Sequence, residues 1–226
     1  MSKYNFRIDE IDPNSTHGKV LMKVKHGGDV LEFGCASGYM TKYMHEKMGC
    51  NVDIVEKNHN DFTKACQYAR NSYSGDIDEF GWFGTFRKNQ YDTILFADVL
   101  EHLMNPMKVM EWAAKLLKDD GKMIISIPNI CHNDIILRMW NDCFTYTDIG
   151  LLDSSHVHFW GIRDFIMQCE NIGLHADECD CVIYPTGRTE QAMPEDAVDK
   201  RLMELLKDRE LGEAYQFVFV VTKRTV

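Results

Sequence analysis

Two glycines and two acids in the first quarter of the chain have the types and spacing of a small-molecule binding site. The apolar run 30–33 contains Glu32 and is followed by Gly34 and Gly38. Glycine is needed where a backbone takes a positive φ or lies against a ligand. Glu56 comes 22 residues after Gly34, where nucleotide sites in α/β folds carry a carboxylate for the ribose hydroxyls. These residues predict a ligand site at the carboxyl edge of a parallel sheet.

The spacing of the glycines argues against a dinucleotide as that ligand. A G-x-G-x-x-G fingerprint needs glycines where this chain has Ala36 and Tyr39. The tyrosine is too bulky for close approach of a pyrophosphate, and Glu32 would repel one. A carboxylate at that position suits a cationic ligand instead. From this stretch alone, a glycine turn in an α/β domain that binds nothing is the alternative.

A second set of residues that can do chemistry lies in the third quarter of the chain, where Asp153 precedes His156 by three residues. An imidazole can take a proton from a hydroxyl near neutral pH, and a carboxylate can orient it. We therefore predict His156 as a general base and Asp153 as its orienting group, with His102 as a weaker candidate. The alternatives are a purely structural histidine and a metal site formed by Asp153, His156 and His158. The interpretation that we carry forward includes no metal.

Alternating apolar strands and amphipathic helices supply the scaffold for these residues. Strands are predicted over residues 29–33, 51–55, 72–74, 91–97, 122–127, 177–184 and 215–222. Helical periodicity covers residues 14–25, 39–48, 58–70, 106–117, 135–140, 163–172 and 194–211. This order predicts an α/β fold with a seven-stranded, mostly parallel sheet whose last strand is antiparallel. Residues 80–86 are aromatic and glycine-rich, and no element is predicted for them.

Length and composition restrict the class of protein. A chain of 226 residues can form an independent core, and residues 1–226 are interpreted as one domain. The formal net charge of −10 argues against nucleic acid as the main partner. No run approaches the ~20 apolar residues of a membrane span, and residues 1–10 lack a signal-peptide core. The eight cysteines form no CxxC pair, which favours reduced thiols in the cytoplasm over disulfides or zinc.

Residues 30–38, V-L-E-F-G-C-A-S-G, and residues 98–103, D-V-L-E-H-L, carry a resemblance to a known family. They are similar to motif I and motif IV of the class I S-adenosylmethionine-dependent methyltransferases. The usual motif I is V-L-D/E-x-G-C/A-G-x-G, and Ala36 stands at its middle glycine. Residues 117–129 resemble motif V. The resemblance implies a Rossmann-like fold and S-adenosylmethionine as the cofactor.

The same resemblance implies roles for individual residues. Asp76 would accept the adenine amino group, and Ile77 would pack on the adenine ring. Ala97 and Asp98 would lie beside the methionine part of the cofactor, with Val99 forming the wall. The residues implied in cofactor binding are Glu32, Gly34, Cys35, Ala36, Gly38, Tyr39, Glu56, Lys57, Asp76, Ile77, Ala97, Asp98 and Val99.

The connection after the fifth predicted strand is too long for an ordinary loop. Residues 129–160 contain a short amphipathic helix and many aromatic residues, which is typical of a cap over a substrate. Two strings, S-T-H-G-K at 15–19 and G-L-L-D-x-x-H at 150–156, resemble a bacterial subset of the family linked to sugar and polysaccharide biosynthesis. In that subset the first helix closes over the cofactor. The residues predicted to meet the acceptor are His17, Arg138, Trp140, Tyr146, His158 and Arg163.

These inferences predict methyl transfer from S-adenosylmethionine to a hydroxyl of a small acceptor, namely a sugar or nucleotide-linked sugar of surface polysaccharide biosynthesis. Methylation of a small amine, which needs no strong base, is the rival enzymatic hypothesis. A cofactor-binding protein without catalysis is a rival from another class, and the intact set Glu32, Glu56, Asp76 and Asp98 argues against it. The sequence leaves open whether the protein forms a homodimer and what residues 185–212 do before the last strand.

Overall fold

One seven-stranded sheet organises the chain. The computed structural model describes residues 11–224, and residues 1–10, for which no signal segment is predicted, lie outside the described residues. The strands are β1 (Asp29–Phe33), β2 (Asn51–Glu56), β3 (Asn71–Ser74), β4 (Tyr91–Ala97), β5 (Leu117–Pro128), β6 (Leu174–Ile183) and β7 (Ala214–Lys223). Their order is β3-β2-β1-β4-β5-β7-β6. β7 is antiparallel to β5 and β6, and the pairs from β3 to β5 are parallel, so the predicted fold class is confirmed.

Helices cover both faces of the sheet. Residues 11–224 contain α1 (Thr16–Lys23), α2 (Tyr39–Glu46), α3 (His59–Ala65), α4 (Pro106–Ala114), α5 (Asn133–Trp140), α6 (Ile162–Asn171) and α7 (Lys200–Leu206). α1, α2 and α3 contribute to the core on one face, and α4 and α6 to the core on the other. Central strands buried on both faces are rich in apolar residues, as residues 94–97 of β4 are and, apart from the buried Glu32, residues 30–33 of β1. No helix in this range is both long and apolar enough to span a bilayer.

Two predicted helices are shorter than expected, and each has a local cause. The helix predicted over 58–70 ends at Ala65, because the chain tightens into a 3₁₀ turn at Cys66–Tyr68. The helix predicted over 194–211 is reduced to α7 and a 3₁₀ turn at Glu195–Ala197. Its start is set by Asp199, whose carboxylate accepts hydrogen bonds from the first backbone N–H groups of α7.

The fifth strand is longer than the predicted 122–127. It begins at Leu117, which pairs with Tyr91, and the register between β4 and β5 shifts between Tyr91 and Thr93. Residues 80–86, for which the sequence predicted nothing, anchor the core. Trp82 is fully buried, donates its indole N–H to the Ile77 carbonyl at 2.8 Å and lies edge-on to Phe33 at 4.8 Å between ring centroids.

A buried carboxylate ties three neighbouring parts of the sheet together. Asp53 on β2 is completely buried. It accepts hydrogen bonds from Arg70 Nε at 2.9 Å and Nη2 at 2.7 Å, from the Asn71 N–H at 3.0 Å, and from the Tyr91 hydroxyl at 2.6 Å. Burial and the Asp53 charge raise the pKa of Tyr91 well above its usual range, so the phenol stays a hydrogen-bond donor. A buried charge is tolerated here because its oxygens are fully paired.

We expect Asp53→Ala to destabilise the protein by about 3 kcal/mol, because several donors lose their charged acceptor together. Tyr91→Phe, which removes a single hydroxyl from the same group, should cost roughly half as much, about 1.5 kcal/mol. Urea unfolding monitored by circular dichroism measures both values. A loss below about 1 kcal/mol for Asp53→Ala, as small as that of an exposed ion pair, would contradict this account.

Candidate functional site

The turn after β1 has three residues in the left-handed region. The φ angles are 65° at Gly34, 48° at Ala36 and 79° at Gly38. A Cβ on Gly34 would lie 2.7 Å from a Val99 methyl carbon, and one on Gly38 would lie 2.6 Å from the Ala65 Cα. Both glycines are therefore required by backbone conformation and by close packing against neighbouring elements. Alanine at position 36 costs roughly 1–2 kcal/mol in this conformation, which explains why the usual residue at that place is glycine.

The carboxylate of Glu56 connects this turn to the end of β2. Its Oε2 accepts a hydrogen bond from the Ala36 N–H at 2.9 Å, and its Oε1 accepts one from the Asn58 N–H at 2.7 Å. The side chain lies at the edge of the site with 8% of its surface exposed. A carboxylate has about four lone-pair positions, so each oxygen can accept a further bond from a ligand hydroxyl.

Glu32 lies beneath the same turn as a buried, half-satisfied acid. Its Oε2 accepts a hydrogen bond from the Thr41 hydroxyl at 2.6 Å, whereas Oε1 makes no hydrogen bond. Burial raises the pKa of Glu32 to about 8, the Thr41 bond opposes this shift, and the charge of Glu56 adds to it. Burial also raises the pKa of the neighbouring Cys35 thiol, which makes a reactive thiolate unfavourable. With a pKa of about 8, the carboxyl group is mostly protonated at neutral pH, and a cationic ligand beside Oε1 would favour its ionised form.

The predicted adenine-binding residues lie at the next strand end. Asp76 begins a 3₁₀ turn by accepting the Asp78 N–H at 3.0 Å, and its other oxygen lies 3.7 Å from Lys57 Nζ. Ile77 is buried directly after it. The carboxylate of Asp76 is 39% exposed and is accessible to a ligand.

Asp98 marks the point where β4, β5, β7 and α1 approach one another. It takes a φ of 57° immediately after Ala97, and its Oδ1 accepts hydrogen bonds from the Ser126 hydroxyl at 2.6 Å and from the Gln216 amide. The α1 residue His17 contacts the Tyr39 hydroxyl through its ring Nε2. Burial lowers the pKa of His17, and the charge of Asp98 opposes that shift. The first helix thus lies against the glycine turn.

Two histidines that the sequence singled out separately meet in the structure. His102 and His156 have ring centroids 4.8 Å apart, and the buried Glu101 completes a group whose metal-ligating atoms all lie within 4.8 Å of one another. Burial, followed by the charges of Asp98 and Asp153, raises the pKa of Glu101 well above its usual range. Sequence reasoning missed Glu101, although its place beside His102 in the D-V-L-E-H-L string was the available signal.

Asp153, the predicted partner of His156, holds the serine that lies between them in the sequence. Asp153 Oδ1 accepts hydrogen bonds from the Ser155 N–H at 2.8 Å and the Ser155 hydroxyl at 2.6 Å. That serine in turn faces the ring of His102, with its Oγ 3.2 Å from Nδ1. His158 stacks on Trp160 at 5.4 Å between ring centroids and lies outside the Glu101–His102–His156 group.

Residues 129–160 leave the sheet and return to it at one place. Asn129 and Trp160 form a parallel bridge, and the segment between them docks on the end of β4. There the backbone carbonyl of Glu101 accepts hydrogen bonds from the N–H groups of Val157 at 2.8 Å and His158 at 3.1 Å. These bonds bring His156 to the carboxyl edge of the sheet.

The segment 185–212 braces this insertion, a role that the sequence did not indicate. The buried carboxylate of Asp134 accepts hydrogen bonds from the Gly187 N–H at 2.8 Å and the Thr189 hydroxyl at 2.7 Å. Glu190 accepts the Leu151 N–H at 2.6 Å. These charge-assisted bonds hold two long connections against each other.

The predicted acceptor-binding residues do not form one group. Tyr146 adjoins the histidines, whereas Trp140, Arg138 and Arg163 lie elsewhere. Tyr146 is about half exposed and belongs to a ring group with Phe144 and Phe159, whose centroids lie 5.7 and 6.3 Å from it. Phe159 lies 6.1 Å from His156, so this group adjoins the histidines. Trp140 is instead largely exposed and its indole lies near Asp199 at the start of α7. Arg138 donates to the Gln191 carbonyl at 3.4 Å, and Arg163 is exposed in the first turn of α6.

Cavity size does not identify the site. A groove of about 850 Å³ lies between α1 and β6, away from the glycine turn. Its charged walls pair with each other, with Lys19 3.0 Å from Asp180 and Lys25 2.6 Å from Asp92. We assign the site instead to the carboxyl edge of the sheet, where half-satisfied acids and histidines converge.

Comparison with known proteins agrees with this geometry. A family model described as a methyltransferase domain matches residues 14–178. A ubiquinone biosynthesis O-methyltransferase of Rickettsia bellii (strain OSU 85-389) is 21% identical over 190 residues, which cover 81% of this chain and 77% of that protein.

Solved structures show the same fold. A SAM-dependent methyltransferase from Archaeoglobus fulgidus superposes with a TM-score of 0.62 at 15% identity, covering 91% of this chain and 90% of that one. One from Aquifex aeolicus gives 0.57 at 14% identity, covering 91% and 88%. The family match over most of the chain shows that the protein belongs to the methyltransferase domain family, and its fold is that of the S-adenosylmethionine-dependent methyltransferases.

Proposed function

We propose that the protein transfers the methyl group of S-adenosylmethionine to a hydroxyl of a small acceptor bound beneath residues 129–160. The observation that carries this proposal is the convergence of His102 and His156 with Glu101, three residues beyond Asp98. A distant relative named as an O-methyltransferase gives further support. Methylation of a hydroxyl needs help in removing its proton, which these side chains can give, whereas a neutral amine needs no such help.

The residues of the sheet edge fit the cofactor. S-adenosylmethionine supplies a methyl group already activated on a positively charged sulfonium. Glu56 has acceptor capacity for two ribose hydroxyls, Asp76 is exposed for the adenine amino group, and Ile77 offers an apolar surface to the ring. A cationic ligand beside the unsatisfied oxygen of Glu32 would favour the ionised form of that acid and would be attracted by it. In this assignment the chain supplies alignment and proton removal, and no nucleophilic side chain is required.

The histidines favour oxygen over nitrogen as the methylated atom. A hydroxyl is a poor nucleophile until its proton begins to leave, whereas a neutral amine already has a free lone pair. The imidazole of His156 lies 6.1 Å from the Phe159 ring, which supports the proposal that an acceptor held against the Phe144–Tyr146–Phe159 rings would meet it. His156 is proposed to promote loss of that proton, and in the sequence-based hypothesis it does so as the base itself.

The sugar acceptor inferred from the resemblance to polysaccharide methyltransferases stays a prediction. Exposed aromatic rings beside the histidines suit a sugar ring, and they suit an aromatic acceptor equally well. Assaying a panel of nucleotide sugars, sugar phosphates, phenols and small amines tests the proposal. An O-methylated product supports it, and methylation confined to amines would refute it.

The cofactor assignment predicts the effect of removing Glu56. Glu56→Ala should weaken S-adenosylhomocysteine binding by roughly 2 kcal/mol, because charge-assisted hydrogen bonds are lost. The same carboxylate also holds the glycine turn through Ala36. Calorimetry measures the affinity, and Glu46→Ala at the exposed end of α2 is the matched control. Unchanged affinity in Glu56→Ala, or tight binding of NAD by the wild type, would contradict the assignment.

The role of His156 predicts a loss of turnover with cofactor binding retained. His156→Ala should lower kcat by roughly 10² or more, the usual contribution of assisted proton transfer. Asp153→Asn should have a smaller effect of the same kind, and His158→Ala, which alters the ring stacked on Trp160, should do less. Steady-state kinetics across pH measure turnover, and calorimetry with S-adenosylmethionine measures cofactor binding. Near-normal kcat in His156→Ala would remove this residue from the mechanism.

The placement of the ring group predicts an effect on acceptor affinity. Tyr146→Ala should raise the acceptor KM about 10-fold, equivalent to about 1.4 kcal/mol of lost ring contact. Trp140→Ala should raise it less, since that indole lies against Asp199. Cofactor affinity should stay the same in both variants. Loss of cofactor binding with an unchanged acceptor KM would place residues 129–160 outside the acceptor site.

A further inference from the structure

Three metal-ligating side chains converge at the end of β4. One potential ligand atom from each of Glu101, His102 and His156 lies within 4.8 Å of the other two. The two imidazoles are 54 residues apart in the chain. They meet because the N–H groups of Val157 and His158 bond to the Glu101 carbonyl. The group is therefore a product of the fold and not of local sequence.

The buried carboxyl group of Glu101 has an oxygen without a hydrogen bond, and this points to a ligand. Its side chain is 1% exposed, and its Oε2 makes no hydrogen bond. A buried polar atom left unsatisfied costs about 1–3 kcal/mol, and more when it is charged. Asp98 and Asp153 add negative potential at this position. A cation would satisfy the orphaned oxygen and offset the charges of Asp98 and Asp153.

The ring of His102 is already oriented as a ligand would be. Its Nδ1 lies 3.3 Å from the Ser155 carbonyl oxygen, and a proton on Nδ1 donated to that oxygen leaves the Nε2 lone pair available. Histidines that bind metals usually donate their other N–H to a carbonyl or carboxylate in this way. Ser155 is itself held by Asp153 at 2.6 Å. A second layer of hydrogen bonds thus supports the ring.

We propose that Glu101, His102 and His156 bind one divalent first-row transition cation, such as Mn²⁺ or Co²⁺. Two imidazole nitrogens favour such an ion over Mg²⁺, which prefers oxygen ligands. Ligand atoms about 2.1 Å from one ion are at most about 4.2 Å apart. The ligand atoms of the group lie within 4.8 Å of one another, so a pair at that limit has to approach by about 0.6 Å or more on binding, which side-chain rotations provide.

The role of the cation rests on the proposed function. Three protein ligands leave coordination positions open, and the acceptor hydroxyl takes one of them. A bound cation lowers the pKa of that hydroxyl strongly, and His156 then acts as a ligand instead of as the base. The acceptor oxygen releases its proton to solvent and forms its new bond to the methyl carbon with its own lone pair. The electron pair of the broken carbon–sulfur bond stays on the sulfur of S-adenosylhomocysteine.

Calorimetric titration of the chelator-treated protein with MnCl₂ tests the site without turnover. We expect one Mn²⁺ site per chain. Glu101→Gln, which keeps the side-chain shape, and His156→Ala should each weaken Mn²⁺ binding by about 10-fold or more. The control His175→Ala changes an exposed histidine 4.0 Å from Asp177 and should bind Mn²⁺ like the wild type. Circular dichroism and S-adenosylhomocysteine binding verify that each variant is folded.

Absence of Mn²⁺ binding to the wild type, or equal binding by wild type and Glu101→Gln, would overturn the site. A second arm measures O-methylation, where chelation should lower kcat about 10-fold or more and Mn²⁺ should restore it. An undiminished rate after chelation would overturn the role of the cation while O-methyl transfer stands. Mn²⁺ binding together with exclusively N-methylated product would uphold the site and refute the proposed function.

Discussion

The carboxylate of Glu56 accepts hydrogen bonds from the backbone N–H groups of Ala36 and Asn58, and through them it ties the turn after β1 to the start of α3. That turn contains three left-handed residues, a conformation that persists only where the surroundings determine it. Glu56 supplies one constraint, and the packing of Gly34 on Val99 and of Gly38 on Ala65 supplies another. The cofactor edge is therefore shaped by the protein's own contacts, and ligand binding does not have to create it.

Glu101 ties the insertion 129–160 to this edge of the sheet in a corresponding way. Its backbone carbonyl receives residues 157 and 158, and its carboxyl group faces His102 and His156. Because Glu101 follows Asp98 within one short turn, the two halves of the site are fixed to the same end of β4. Residues 186–190 brace the insertion from the other side through Asp134 and Leu151. Chemistry at this edge depends on these long-range contacts as much as on the motifs.

The sequence predicted most of the sheet and the glycine turn after β1, because they are specified locally. β1 and β4 have the predicted boundaries, since each is mostly apolar and is followed at once by a glycine or an acid, Gly34 and Asp98. The contacts that it did not predict join distant positions. The meeting of His102 with His156, the burial of Trp82 and the bracing of Asp134 by residues 187–189 leave no periodic pattern in the chain. The helix predicted over 194–211 begins only at Lys200 for another reason. The side chain of Asp199 caps its first turn and sets its start.

Hydrogen–deuterium exchange with and without S-adenosylhomocysteine tests the central claim most directly, namely that the cofactor lies across the carboxyl edge between β1 and β2. The account predicts slower exchange in the turn 34–39, around residues 56–58 and around residues 97–99 when the ligand is present. It predicts no change along the groove between α1 and β6, where Lys19 and Asp180 are paired with each other. Protection around residues 178–180 with unchanged exchange at 34–39 and 56–58 would contradict it.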